Sequence, residues 1–184
     1  MRPAIFLDRD GVIVENRETY ILDWSDVQFF PEALQALAGI RDEHYKVLIV
    51  TNQSAVGRGL MTLKDAEAIN QRIVSEIEYA GGRIDGVYMC PHAPESGCDC
   101  RKPLPGLLTQ AIQELSINPS RSILIGDALS DLRAAWAAGV PKAALVRTGR
   151  GQAQSELPEI NEIPPFPIYE NLSEALSALV GTPT

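Results

Sequence analysis

The strongest constraint on what this chain can fold into is the stretch AIFLDRDG at residues 4–11. Ile5, Phe6 and Leu7 form a short apolar run that Asp8, Arg9, Asp10 and Gly11 halt at once. A run with no polar alternation reads as a strand buried on both faces, the pattern of parallel sheets. Such a strand sets both carboxylates at its carboxyl tip, the edge where open α/β sheets bind ligands. A plainer reading is a strand entering an Asx-type turn, since Asp and Gly are ordinary turn residues. A calcium loop fits less well, because it spreads its acids over more positions and puts glycine later.

The remaining chain repeats the theme of apolar runs with polar ends. KVLIV at 46–50 stops at Thr51 and Asn52, and 84–89 leads into a cysteine-rich loop. Residues 122–125 end in GDALSD, and 142–147 form a fifth run. Helical spacing separates them. Pro31, Leu34, Leu37, Ala38 and Arg41 predict a helix over 30–45. Thr62 and Asp65 form a capping-box pair for a helix over 62–79, with Ala66, Ile69, Ile73 and Ile77 on one face and Gly81-Gly82 as its stop. Further helices are predicted over 106–115 and 129–138, the latter closed by Gly139. Residues 12–25 and QSAVGRGL at 53–60 read as loops, and beyond Gly151 the chain is Pro-rich until a last helix over 173–180. The alternation predicts a single domain over 1–184: a three-layer α/β/α, Rossmann-like, doubly wound parallel sheet.

With 184 residues and 45% hydrophobic content, a full core is within reach. No run approaches a membrane span and the N-terminus lacks a signal-peptide layout, so a cytoplasmic protein without membrane contact is expected. A net charge of −8 argues against non-specific nucleic-acid binding. All three cysteines lie between Cys90 and Cys100, a poor disulfide framework. Cys90, His92, Cys98 and Cys100 give C-x-H-x5-C-x-C, a ligand set for a closed, structural Zn²⁺ site. The plainer alternative is reduced cysteines beside an incidental histidine. The loop leads directly into Arg101-Lys102-Pro103, so a bound metal would fix where those two cations point.

Asp8, Thr51 and Asp127 each follow an apolar strand, and Lys102 lies in the loop after the third. A parallel sheet brings them to one edge, where carboxylates, a hydroxyl and an ammonium suit metal-assisted phosphoryl transfer. The ordered motifs FLDRDG, VTNQ, RKP and IGDALSD resemble those of the haloacid dehalogenase superfamily, over residues 3–151. The finer pattern resembles its heptose-bisphosphate 7-phosphatase and histidinol-phosphatase branch, which carries a zinc loop. The resemblance implies an Mg²⁺-dependent phosphomonoesterase with Asp8 as the nucleophile that becomes an aspartyl-phosphate. Asp10 is then the general acid and base, and Mg²⁺ is held by Asp8, the Asp10 carbonyl and Asp127. Thr51 and Asn52 are implied to hydrogen-bond the phosphoryl oxygens, with Lys102 and Arg101 neutralising charge. Asp131 either supports the metal site or caps the helix beginning near Leu129.

Superfamily members often carry a large cap domain, but the stretches after the first and third strands are too short for one. With this minimal cap, substrate recognition is expected from Asn16, Arg17, Thr19 and Tyr20, from Gln53, Ser54 and Arg58, and from Arg101 and Lys102. The implied substrate is a small phosphorylated sugar, a heptose bisphosphate losing its 7-phosphate, and the implied assembly a monomer. Histidinol phosphate is the nearest alternative, then a polynucleotide 3′-phosphate, then a non-catalytic zinc-stabilised binding module. The heptose enzymes often carry lysine directly after GD of the fourth motif, where this chain has Ala128.

Overall fold

A computed structural model describes residues 1–40 and 44–180. Its centre is a six-stranded sheet of β1 (Ala4–Leu7), β2 (Lys46–Asn52), β3 (Gly86–Cys90), β4 (Ile123–Gly126), β5 (Lys142–Val146) and β6 (Ile168–Tyr169). The spatial order is β3-β2-β1-β4-β5-β6, and every pairing is parallel. The connections carry α1 (Pro31–Ala38), α2 (Ser54–Gly57), α3 (Leu63–Tyr79), α4 (Gly106–Glu114), α5 (Leu129–Ala137), α6 (Gly151–Gln154) and α7 (Leu172–Leu179).

Strand side chains alternate between faces, and the core divides accordingly. Ile5 and Leu7 of β1 join Leu37 of α1, Ile73 and Ile77 of α3 and Leu172 of α7 in one cluster. Ala4 and Phe6 point the other way, into Leu107 and Leu108 of α4 and Leu132 of α5. Both faces are therefore dry, as the unbroken apolar strands require. Strand order reverses between β1 and β4, so the sheet opens a crevice at their carboxyl tips. Asp8 follows β1 and Asp127 follows β4, which puts both at that crevice.

Four details depart from the sequence reading. The helix expected over 30–45 stops at Ala38, with Gly39 as its C-cap, and residues 41–43 of that expectation lie outside the described residues. The loop at 53–60 contains the short helix α2. The third strand is shifted to Gly86–Cys90. The Pro-rich segment supplies a sixth strand, Ile168–Tyr169, paired with Leu145 and Val146. Two residues cannot display an alternating pattern, so periodicity could not reveal it.

Asp85 fastens the start of β3 to β2. Its carboxylate accepts from the Val47 N–H at 2.8 Å and from Lys46 Nζ at 2.7 Å. Burial alone would raise its pKa, but Lys46, the Val47 N–H and Arg83 outweigh it and hold the carboxyl below its ordinary value. A depressed folded-state pKa contributes stability that is present above the unfolded value and is lost as pH falls through the folded one. Replacing Asp85 by Ala is expected to cost about 1–3 kcal/mol at pH 7. In chemical denaturation the gap to the unaltered protein should narrow below the ordinary carboxylate pKa near 3.8. A gap independent of pH would show that the charge of Asp85 contributes nothing.

Candidate active site

Lys102 sits at the centre of the crevice, almost fully buried. Its Nζ is 2.9 Å from Asp8 Oδ1 and 2.6 Å from Asp131 Oδ1, and it donates to the Val50 carbonyl at 2.8 Å. An ammonium has three protons, and each has an acceptor. Burial opposes the charge, but Asp131 and Asp8 outweigh it and hold the lysine above its ordinary pKa. Asn52 fixes the backbone of the same residue: its Nδ2 donates to the Lys102 carbonyl and its Oδ1 accepts from the Lys102 N–H, both at 3.1 Å. The clamp uses one of the two Nδ2 protons of Asn52, so the amide keeps a second donor for the phosphoryl oxygen expected from the sequence.

Asp131 caps the start of α5 and also meets Lys102. Its Oδ2 accepts from the N–H of Ala128, the N-cap residue of α5, at 3.0 Å, while Oδ1 meets Lys102. Burial pushes this carboxyl up to about 7 against the pull of Lys102, with repulsion from Asp8 and Asp127 adding to it. Asp127 is also raised, by burial first and then by Asp8. Asp8, Asp127 and Asp131 offer oxygen atoms that all lie within 4.8 Å of one another. Three buried carboxylates this close carry more negative charge than one lysine offsets, and hard oxygen donors suit Mg²⁺. The cluster has already drawn in a second cation, as Arg150 donates to Asp127 through Nη2 at 3.0 Å and its main-chain N–H at 2.9 Å.

Asp10 lies beside this cluster in a different hydrogen-bond set. Arg9 Nε and Nη2 reach its two oxygens at 2.9 Å each, and Gln53 Nε2 donates to Oδ2 at 2.8 Å. The same Gln53 nitrogen lies 2.9 Å from Thr51 Oγ1, which links the hydroxyl to the second carboxylate. Thr51 is the penultimate residue of β2 rather than the residue after it.

The comparisons with known proteins agree with this geometry. A family model described as HAD-hydrolase-like matches residues 99–175. A D-glycero-β-D-manno-heptose-1,7-bisphosphate 7-phosphatase from Yersinia pestis is 36% identical over 155 residues, covering 80% of this chain and 82% of the relative. The protein of that name from Haemophilus ducreyi is 39% identical over 156 residues, covering 81% and 85%. The crystal structure of D,D-heptose 1,7-bisphosphate phosphatase from B. bronchiseptica, complexed with magnesium and phosphate, matches with a TM-score of 0.86 at 32% identity. That match covers 97% of this chain and 98% of the other. The chain belongs to the haloacid dehalogenase (HAD) phosphatase family.

The loops around this HAD phosphatase site divide the remaining expected residues. Asn16 donates to Asp127 Oδ2 at 2.7 Å, so it supports a carboxylate of the crevice. Arg17 is turned toward its own loop, donating to the Asp26 carbonyl at 2.7 Å, with Thr19 exposed and Tyr20 half-buried nearby. Gln53 and Ser54 are buried at the crevice, to about the degree of Asp8 and Lys102. Ser54 Oγ accepts from Arg101 Nη1 at 2.7 Å and so orients that cation. Arg58 remains partly exposed, 3.9 Å from Glu95. Arg9, Asn70 and Arg150 are the contributors that the sequence did not single out. RTGR after the fifth strand was the available signal for Arg150, whereas nothing in the sequence marks Arg9 as buried.

Gly11 and Gly149 flank Asp127 so closely that a Cβ on either would collide with its carboxylate. Both have positive φ, so glycine is required there for space and for backbone shape. Gly57 serves a related purpose at the end of α2, where a Cβ would strike the Ala93 main chain. This contact seats α2 directly against the cysteine loop.

In that loop, Cys90, His92, Cys98 and Cys100 bring their ligand atoms within 4.8 Å of one another. Cys90 Sγ lies 3.6 Å from Cys98 Sγ and 3.1 Å from Cys100 Sγ, and His92 Nδ1 lies 3.2 Å from Cys100 Sγ. Ligand sulfurs around tetrahedral zinc are about 3.8 Å apart, so the set fits with a slight expansion. Burial pushes the Cys90 and Cys100 thiols up, and Cys98 adds to it in each case. A cation that accepts thiolates relieves that crowding. Elemental analysis of the unaltered protein is expected to find about one zinc per chain, and Cys98→Ser to abolish it. The variant should melt about 5–10 °C lower, the shift a few kcal/mol produces at this chain length. Well under one zinc in untreated protein would count against the site.

Proposed function

We propose that this enzyme is an Mg²⁺-dependent phosphomonoesterase that removes the 7-phosphate of D-glycero-D-manno-heptose 1,7-bisphosphate. The observation that carries the reaction class is the meeting of Asp8, Lys102, Asp127 and Asp131 at one crevice, with Asp10 beside them. The named relatives support the sugar. In this reading the enzyme is a single-domain cytoplasmic monomer.

Asp8 attacks phosphorus: its oxygen bonds to phosphorus as the ester P–O bond breaks, and the Asp10 carboxyl gives its proton to the leaving sugar oxygen. In the second half a water oxygen bonds to phosphorus and its proton goes to Asp10. The Asp8–phosphorus bond then breaks, releasing phosphate and restoring both acids. Asp8, the Asp10 carbonyl and Asp127 would hold Mg²⁺, which supplies charge neutralisation and alignment of the phosphoryl group. Lys102 holds one oxygen of Asp8 and places positive charge where the transferring group becomes more negative. Thr51 Oγ and Arg101, the latter braced by Ser54, are the remaining donors assigned to phosphoryl oxygens. Asp131 keeps Lys102 in position, and zinc holds the segment that carries Arg101 and Lys102.

Asp8→Asn is expected to lower Mg²⁺-dependent phosphate release by at least about a thousandfold, because an amide cannot form the acyl phosphate. The fold should persist, since Asp131 and the Val50 carbonyl still hold Lys102. Substantial residual turnover would remove the covalent route. A panel of heptose bisphosphate, histidinol phosphate and a 3′-phosphorylated oligonucleotide tests the substrate. Preference for the first by kcat/KM is expected, and release from either of the others alone would overturn the sugar assignment.

A further inference from the structure

Arg9 heads the fully buried side chains by size among the described residues, yet the reaction described above gives it no task. It follows Asp8 directly, but its contacts are to Asp10 and Asn70 and not to the groups that hold Lys102. Its Nε and Nη2 donate to the two oxygens of Asp10, and Nη2 also lies 2.9 Å from Oδ1. Its Nη1 donates to Asn70 Oδ1 at 2.6 Å. Asn70 is a buried amide on the otherwise apolar inner face of α3, between Ile69 and Ile73. The Asn70 Nδ2 contacts Met89 Sδ at 3.3 Å, which ties the amide to β3 as well. A buried arginine and a buried asparagine on a core-facing surface are costly to place unless they satisfy each other and a third group. Here the third group is Asp10.

We propose that Arg9, anchored by Asn70, is the positioning residue of the Asp10 carboxyl and thereby sets which phosphate esters the enzyme can cleave. This inference rests on the proposed acid and base role of Asp10. A carboxylate on a strand tip rotates about two side-chain torsions. A planar guanidinium whose fork meets both oxygens stops that rotation, which a point charge such as lysine cannot do. Gln53 closes the arrangement from β2, leaving about 23% of the Asp10 side chain accessible for a substrate. The anchor runs through α3, so the orientation of the acid is fixed by the scaffold rather than by a mobile loop. Correct orientation matters most when the leaving oxygen needs a proton as the P–O bond breaks. A sugar alkoxide does, whereas p-nitrophenolate leaves unprotonated.

The test compares kcat and KM for heptose bisphosphate, an alkyl ester, with those for p-nitrophenyl phosphate, using the full chain with Mg²⁺. Arg9→Met should lower kcat/KM, which reports the steps up to departure of the leaving group, about a hundredfold on the alkyl ester, the lower range of general-acid contributions, and by no more than about threefold on the aryl ester. In contrast, kcat can fall on both, because hydrolysis of the shared aspartyl-phosphate also uses Asp10. Arg9→Lys should recover part of the alkyl activity, and Asn70→Ala should show the same selectivity at about five- to tenfold. Mg²⁺ affinity by calorimetry should be unchanged in all three. Equal losses of kcat/KM on both esters would overturn the proposal and leave Arg9 a structural residue. If Arg9→Met does not fold, Arg9→Lys and Asn70→Ala decide by the same ratio. Failure of the substrate reading looks different: the unaltered protein would not turn over heptose bisphosphate, and the ratio would be taken with whichever alkyl phosphate it does cleave.

Discussion

The interaction on which the site depends is the buried ammonium of Lys102 with its three acceptors. Taking a lysine out of water costs several kcal/mol unless every proton is met, and removing one partner leaves a charge stranded. Asp8, Asp131 and the Val50 carbonyl meet that requirement from three different strand–helix units. The contact therefore does more than neutralise. It ties the loop after β3 across β2 and β1 to α5, so Asp8 cannot be placed unless those units are assembled. The three carboxylates nearby make the opposite demand, since one lysine does not balance them. Burial and mutual repulsion raise Asp127 and Asp131. A crevice in this electrostatic state favours a divalent cation at one end and a phosphate dianion bridging to the lysine at the other.

Cations reach this crevice from elements of different rigidity. Lys102 and Arg101 arrive on the loop that the three cysteines and His92 gather, and their segment is braced by Asn52 and Ser54. Arg150 arrives on the turn after β5, where Thr148 Oγ1 donates to the Gly11 carbonyl at 2.6 Å. One side of the site is thus flanked by the cysteine and histidine cluster and the other by close glycine contacts around Asp127. The stretch after β1 is held as well: Asp23 and Asp26 form a reciprocal cap around its single turn of 3₁₀ helix, and the Arg72 guanidinium lies 4.1 Å above the Trp24 ring. A site framed in this way needs no inserted domain to be ordered.

Much of this was legible in the sequence, for a physical reason. Strands buried on both faces are written as unbroken apolar runs, so β1, β2, β4 and β5 could be read directly. Their polar ends identified Asp8, Thr51 and Asp127. Cys90, His92, Cys98 and Cys100 lie within eleven consecutive positions, so their grouping could be read from spacing, and the fold brings their ligand atoms together. The contacts that Asn52, Gln53 and Ser54 make inside the protein were not legible in the same way, because local polarity does not reveal a partner some fifty residues away. Asn52 meets Lys102, and Ser54 meets Arg101, only after the sheet has formed. Likewise the apolar stripe of α3 was read from Ala66, Ile69, Ile73 and Ile77, and Asn70 was passed over as an ordinary polar residue beside it.

Asn70 bears on how the two acids of one motif come to behave differently. Asp8 and Asp10 are two positions apart at the same strand tip, yet they have no side-chain hydrogen-bond partner in common among the described residues. Asp8 faces the buried lysine and the carboxylates of Asp127 and Asp131. Asp10 faces a guanidinium and an amide that fix its plane without joining it to that cluster. Two identical side chains can serve as nucleophile and proton carrier only if their surroundings are kept separate. Arg9 lies between them in the chain, and its side chain turns away from Asp8 toward α3. That turn is what divides the strand tip into two chemical environments.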